Sequence, residues 1–195
     1  MHALSQKDFL PLDLASSLTD FPNFQNANKV VANIPYNITG PILEKLLGNI
    51  VHPSSQPFDS IVLLVQREVG DRLFAKPSTK AFGALSIRVQ YLAHCELICP
   101  VPARDFSPPP KVDSAVIRLT PRRLELMANN PKLLDNLVRL GFSTRRKMLR
   151  NNLQSAIDRE DLTKLLTSLN IKTDTRAEDL SLEQWIQLSN LVTDN

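Results

Sequence analysis

Apolar residues recur along this chain in two rhythms. Through the first two thirds, short unbroken apolar runs alternate with runs of helical period. "NKVVANIPY" reads as a short buried strand over Val30 to Asn33 that ends at a proline turn. In "GPILEKLLGNI", Ile42, Leu43, Leu46 and Leu47 return at helical spacing, with Pro41 in the first turn. "FDSIVLLVQ" has no polar face, the pattern of a central parallel strand covered on both sides. "REVGDRLFAK" reads as helix despite Gly70, and "GALSIRVQYLA" as a helix entered near Gly83. "CELICPVP" and "SAVIRLTP" read as two final strands around the loop "ARDFSPPPKVD".

After Pro121 the strand pattern stops. "PKLLDNLVRLGFSTRRKMLRNNLQSAI" keeps a helical period, and "DLTKLLTSLNI" and "SLEQWIQLSNLV" follow as further helices. Ser181 and Glu183 stand where a capping residue and an early acid belong. The reading is an α/β layered fold with a mainly parallel sheet, closed at one edge by an antiparallel strand. A small all-helical domain follows. The boundary falls near residues 121–126, dividing the chain into 1–122 and 123–195.

Composition narrows the function classes. The chain has 195 residues, 43% of them hydrophobic, enough for one ordinary domain and a small second one. Its two cysteines, Cys95 and Cys99, form no disulfide framework, and their spacing puts both on one strand face as reduced core residues. His2, His52 and His94 are scattered, so no metal site is expected. The apolar run Ile61 to Val65 is too short for a bilayer, and the first residues do not resemble a signal peptide. A cytoplasmic protein is expected. Net charge is only +3, but the basic residues are unevenly placed. Between Arg122 and Arg150 there are eight basic side chains and two acidic ones. The dense part, "STRRKMLRNNL", reads as a basic helix segment with Met148, Leu149 and Leu153 inward and Arg145, Arg146 and Arg150 outward.

The tetrapeptide Asn33-Ile34-Pro35-Tyr36 carries specific chemistry. An exocyclic amine on adenine is a poor nucleophile, because its lone pair is delocalised into the ring. Two acceptors gripping its two N–H groups favour a tetrahedral nitrogen. An Asn side-chain oxygen supplies one acceptor and the carbonyl at Pro35 the other. A following aromatic ring stacks on the extruded base. The group stands at the carboxyl end of a strand, where open α/β sheets place ligands. Alone, the four residues fit better with a plain Asn-x-Pro turn and a packed Tyr.

The wider sequence changes that balance. "VVANIPYNITGPIL", "VQREVGDRL", "FGALSIRVQYL", "VPARDFSPPPKVDSAVIRL", "GFSTRRKMLRNNL" and "LSLEQWIQLSNL" together resemble the ribosomal RNA adenine dimethyltransferases, from about Asp8 to the C-terminus. The helical tail is similar to the small-subunit branch, not to the antibiotic-resistance enzymes acting on large-subunit RNA.

The resemblance implies a Rossmann-like class I methyltransferase sheet and S-adenosyl-L-methionine as methyl donor. It implies dimethylation of N6 on two adjacent adenosines near the 3′ end of small-subunit rRNA, in a pre-30S-type ribosomal particle. It implies that Asn33 grips the amine beside the donor methyl, that Pro35 offers its carbonyl, and that Tyr36 and Phe106 close on the two faces of the base. Asp8 would take the adenine amine of the cofactor, with the Phe9 backbone beside it. Arg122, Arg123, Arg145, Arg146, Lys147 and Arg150 would face RNA, with Arg67, Arg72, Lys76 and Lys80 extending that surface. A monomer is expected when the protein is complete.

The family's glycine-rich cofactor turn is not found. The five glycines, Gly40, Gly48, Gly70, Gly83 and Gly141, are too far apart to form one. Met1 is expected just before or within a strand leading to Asp8. The sheet is therefore expected to lack its N-terminal strands and to expose an interior edge, and the isolated chain to be inactive. Two other readings stand beside the enzyme. One is a non-catalytic rRNA-binding assembly factor; the other is a relative acting in organellar transcription.

Overall fold

The computed structural model describes residues 7–21 and 27–193; the strand expected to lead into Asp8 lies outside these. One helical turn, α1 (Leu14–Ser17), precedes β1 (Lys29–Asn33). There follow α2 (Thr39–Leu47), β2 (Ser60–Gln66), α3 (Arg67–Leu73), α4 (Ala84–Leu92), β3 (Ala93–Val101) and β4 (Ser114–Pro121). After β4 the described residues form only helices and turns: α5 (Pro131–Gly141), α6 (Leu149–Asn152), α7 (Arg159–Ser168) and α8 (Leu182–Thr193).

The four strands form one sheet in the order β1-β2-β4-β3. Only β1 and β2 are parallel; β4 runs antiparallel to both β2 and β3. The expected mainly parallel sheet is therefore mixed among the described residues. The reason is the connection from β3 to β4. Residues 102–113 hold one 3-10 turn and no α-helix, so β4 returns antiparallel beside β3 and inserts between β2 and β3.

One face of the sheet is dry. Ile61, Leu63 and Val65 of β2 and Ala115, Ile117 and Leu119 of β4 are buried. They meet α3, where Gly70 lies against Ala115, Ile117 and Val65, and they share one core with α2 and α4. Burying such a side chain contributes roughly 1.5–3 kcal/mol before entropy is counted. The other face is more open than "FDSIVLLVQ" suggests. Val62 and Leu64 are half-buried, and Val31, opposite Val62, is 82% exposed.

Two local features redirect the chain. The expected continuous basic helix is broken. α5 ends at Gly141, and Ser143 to Met148 form a turn before α6. The buried Asn152 amide donates to the Gly141 and Thr144 carbonyls, at 2.5 and 3.0 Å, which a continuing helix would have used. In β3, the pairing shifts between Leu97 and Cys99, a β-bulge. Cys95 stands opposite the buried Leu119, whereas Cys99 stands opposite Val116. The two cysteines thus occupy opposite faces, correcting the expectation that both are core residues, and Cys99 is exposed.

Burial pushes the Cys95 thiol up to about 12, partly offset by the charge of Arg122. At pH 8 it holds almost no thiolate, the form that reacts. Iodoacetamide at pH 8 should therefore label Cys99 alone, as read by peptide mass spectrometry. A second test concerns the end of α2. Gly48 has φ +76°, and a Cβ there would stand 2.3 Å from the His52 carbonyl oxygen. Gly48→Ala should lower unfolding stability by roughly 1–3 kcal/mol in a denaturant titration.

Candidate active site

β1 delivers Asn33 to the end of the sheet, paired with Leu64 of β2. The chain then turns at Pro35 into a 3-10 turn, Tyr36–Ile38, which leads straight into α2. Asn33, Ile34, Pro35 and Tyr36 line an open hollow of about 330 Å³. Ile34 is buried and holds the segment down, while Asn33 and Pro35 are exposed. The Asn33 carboxamide has no hydrogen-bond partner among the described residues. The Pro35 carbonyl accepts from the Ile38 N–H at 3.3 Å, which leaves one lone pair available. The Asn33 carboxamide oxygen and the Pro35 carbonyl are thus two acceptors two residues apart in the chain, both on residues that line the hollow. A larger hollow, about 740 Å³, lies between α2 and α4 and contains none of these residues.

Tyr36 is half-buried, and its hydroxyl lies 2.5 Å from the Ser114 hydroxyl. Ser114 opens β4 and is fully buried. Its neighbour Asp113 ties down the surrounding loop. The Asp113 carboxylate accepts from Ala103 N–H and its carbonyl from Arg67 N–H, both at 2.9 Å. That loop carries Phe106, which is half-buried just after the 3-10 turn Ala103–Asp105. The structure therefore brings Asn33, Pro35 and Tyr36 together and roots the Phe106 loop beside them. Phe106 itself does not line the hollow.

Asp8 is exposed and accepts from Leu10 N–H at 3.3 Å. The segment it begins is held by Lys45 of α2. The Lys45 ammonium donates to the Leu10 carbonyl at 2.8 Å and to that of Leu12, and it stands 5.3 Å from the centre of the Phe9 ring. Lys45 is six residues along α2 from Thr39, roughly 9 Å. The Asp8–Phe9 segment is thus fastened to the helix that leaves the Asn33–Tyr36 turn, with no hydrogen bond to that turn among the described residues.

The basic residues do not form one cluster. Arg122 and Arg123 follow the last residue of β4, so they sit at the opposite end of the sheet from Ser114, beyond a strand roughly 24 Å long. Arg122 donates to the Gln90 carbonyl. Arg145 pairs with Glu178 at 2.7 Å and reaches the Lys80 carbonyl. Arg146 and Lys147 are exposed, with no ion pair among the described residues. Arg150 is partly covered, and its Nε is buried. Arg67 and Arg72 pair with acids one turn away on α3, whereas Lys76 and Lys80 are exposed.

Sequence reasoning missed Ser114, Lys45 and Asn152. Ser114 left a signal, a lone hydroxyl at the head of an apolar strand, which must find a partner once buried. Lys45 and Asn152 left none, since both look like ordinary polar positions on a helix.

Comparison with known proteins bears on this arrangement. Residues 3–194 match the family model described as ribosomal RNA adenine dimethylase. A protein named ribosomal RNA small subunit methyltransferase A from a Nostoc species is 64% identical over 189 residues, 97% of this chain and 70% of the relative. Its namesake from Nostoc punctiforme is 65% identical over 187 residues, 96% of this chain and 65% of the relative. The chain thus spans roughly two thirds of the length of these relatives. Among solved structures, a dimethyladenosine transferase from Plasmodium falciparum superimposes with a TM-score of 0.69 at 25% identity, covering 83% of this chain and 65% of that one. The 23S rRNA methyltransferase ErmE shares the fold, with a TM-score of 0.63 at 23% identity, covering 86% of this chain and 65% of that one. The family model runs almost end to end along the chain, and the chain belongs to the ribosomal RNA adenine dimethylase family, a family of methyltransferases.

Proposed function

We propose that this protein serves the dimethylation of N6 on two adjacent adenosines near the 3′ end of small-subunit rRNA, as a step in ribosome biogenesis. The observation that carries the reading is the unpartnered Asn33 carboxamide beside the Pro35 carbonyl, over an open hollow at the sheet end. Asn33 Oδ1 and the Pro35 carbonyl each accept one N6 hydrogen, which directs the nitrogen lone pair outward. Tyr36 stacks on one face of the extruded adenine and Phe106 closes on the other. S-adenosylmethionine, when bound, supplies an electrophilic methyl on a sulfonium. The nitrogen–carbon bond forms as the carbon–sulfur bond breaks, so no side chain becomes covalently attached. No strong base is needed, because the alkylated nitrogen releases its proton readily. Asp8 and the Phe9 backbone are assigned to the adenine of the donor.

Residues 1–122 form the methyltransferase part in this reading, and 123–195 the helical RNA-facing part. The exposed Arg146 and Lys147 are the RNA contacts of choice, because neither is committed to an ion pair among the described residues. Arg122 and Arg123 would meet RNA on a separate surface, and Arg145 serves first to hold its turn against Glu178.

Methyl transfer from labelled S-adenosylmethionine to unmethylated small subunits tests the proposal. It is run on the chain alone and on the chain joined to the residues by which the Nostoc relative exceeds it. Whichever form is active should yield dimethyladenosine, and Asn33→Ala should lower its rate by roughly a hundredfold or more, by loss of a positioning acceptor. Binding of both forms without transfer by either would replace the enzyme with an assembly factor. Separately, Arg146→Ala with Lys147→Ala should weaken binding to small-subunit rRNA and lower its salt slope by about two phosphate contacts. An unchanged slope would remove both residues from the interface.

A further inference from the structure

We infer that Ser114 is a positioning residue of the acceptor site, holding the Tyr36 ring at the orientation that stacks on the target base. The inference rests on the proposed stacking role of Tyr36. The two residues are 78 apart in sequence, and their hydroxyls are 2.5 Å apart. Their supports differ greatly in rigidity. Tyr36 starts a single 3-10 turn at the mouth of an open hollow. Ser114 is fully buried, and its backbone is paired with Gln66 of β2 on one side and Val101 of β3 on the other.

A ring at the edge of an open hollow would otherwise sample several rotamers. One hydrogen bond from a fixed strand selects among them at the far end of the ring, where leverage on its plane is greatest. Phe106 enters through the same residue. The loop that carries it leaves β3 at Val101 and returns to β4 at Ser114, the two residues that pair with each other. The Tyr36–Ser114 bond therefore ties one proposed wall of the base slot to the root of the other. Ser114 touches neither base nor donor in this assignment; it acts through Tyr36.

The probe is a small-subunit rRNA 3′-end fragment with 8-vinyladenosine, a fluorescent adenosine that keeps its N6 amine, at the target position, bound at saturating protein. A base stacked on Tyr36 is dimmer than the same base in a Tyr36→Ala hollow. Ser114→Ala should recover most of the brightness of Tyr36→Ala while leaving RNA affinity and unfolding temperature near wild type. Tyr36→Phe, which keeps the ring and removes the same bond from the other side, should match Ser114→Ala. The double variant should be no brighter than either, because both lose one interaction. Emission from Ser114→Ala or, if that variant does not fold, from Tyr36→Phe that equals wild type would overturn the role of Ser114 and leave stacking intact. Equal emission from wild type and Tyr36→Ala would instead overturn the stacking role, and the inference with it.

Discussion

The site hangs from the first residue of β4. Because β4 lies between β2 and β3, its hydrogen bonds fix both neighbours, and its buried residues anchor the helical layer. At its head, Ser114 holds Tyr36, while Asp113 holds the Phe106 loop and the start of α3. A rigid sheet end thus sets the position of two exposed turns. An unsatisfied buried hydroxyl at that point costs about 1–3 kcal/mol, which favours keeping the pair intact.

The helices after β4 are built on the same logic of carbonyl capture. Asn152 takes two carbonyls at the end of α5, and the chain turns instead of continuing as helix. Trp185, fully buried in α8, lies so close to Gly141 that no side chain fits at that position. Arg145 then fastens the turn to Glu178, which leaves Arg146 and Lys147 exposed. Charge that looks uniform in the sequence is therefore divided between structural pairs and free cations.

Much of this architecture was legible from residues alone. Every described strand was foreseen, because each is a short apolar run bounded by Pro, Asp or Gly, and α2 and α4 carry clear helical spacing. Asn33, Pro35 and Tyr36 stood out because they fall within four residues of one another and because the wider sequence resembles one family; the tetrapeptide alone reads as a plain turn. The break at Ser143 was hidden, since Met148, Leu149 and Leu153 keep a helical period through a turn. The β-bulge was hidden too, and it moved Cys99 to the other face of the sheet. One inserted residue inverts every later side chain, and nothing in a β-rich run marks where that occurs.

Spacing along the chain was enough to give the alternation of elements, the Asn-Ile-Pro-Tyr tetrapeptide and the local excess of basic residues. These follow from spacing within a few residues, which propensity and periodicity report directly. Long-range packing set the antiparallel place of β4 between β2 and β3, the position of Arg122 and Arg123 at the far end of the sheet, and the meeting of Ser114 with Tyr36. Each of these depends on residues distant in sequence competing for one buried position. Pattern over a short window carries no record of that competition.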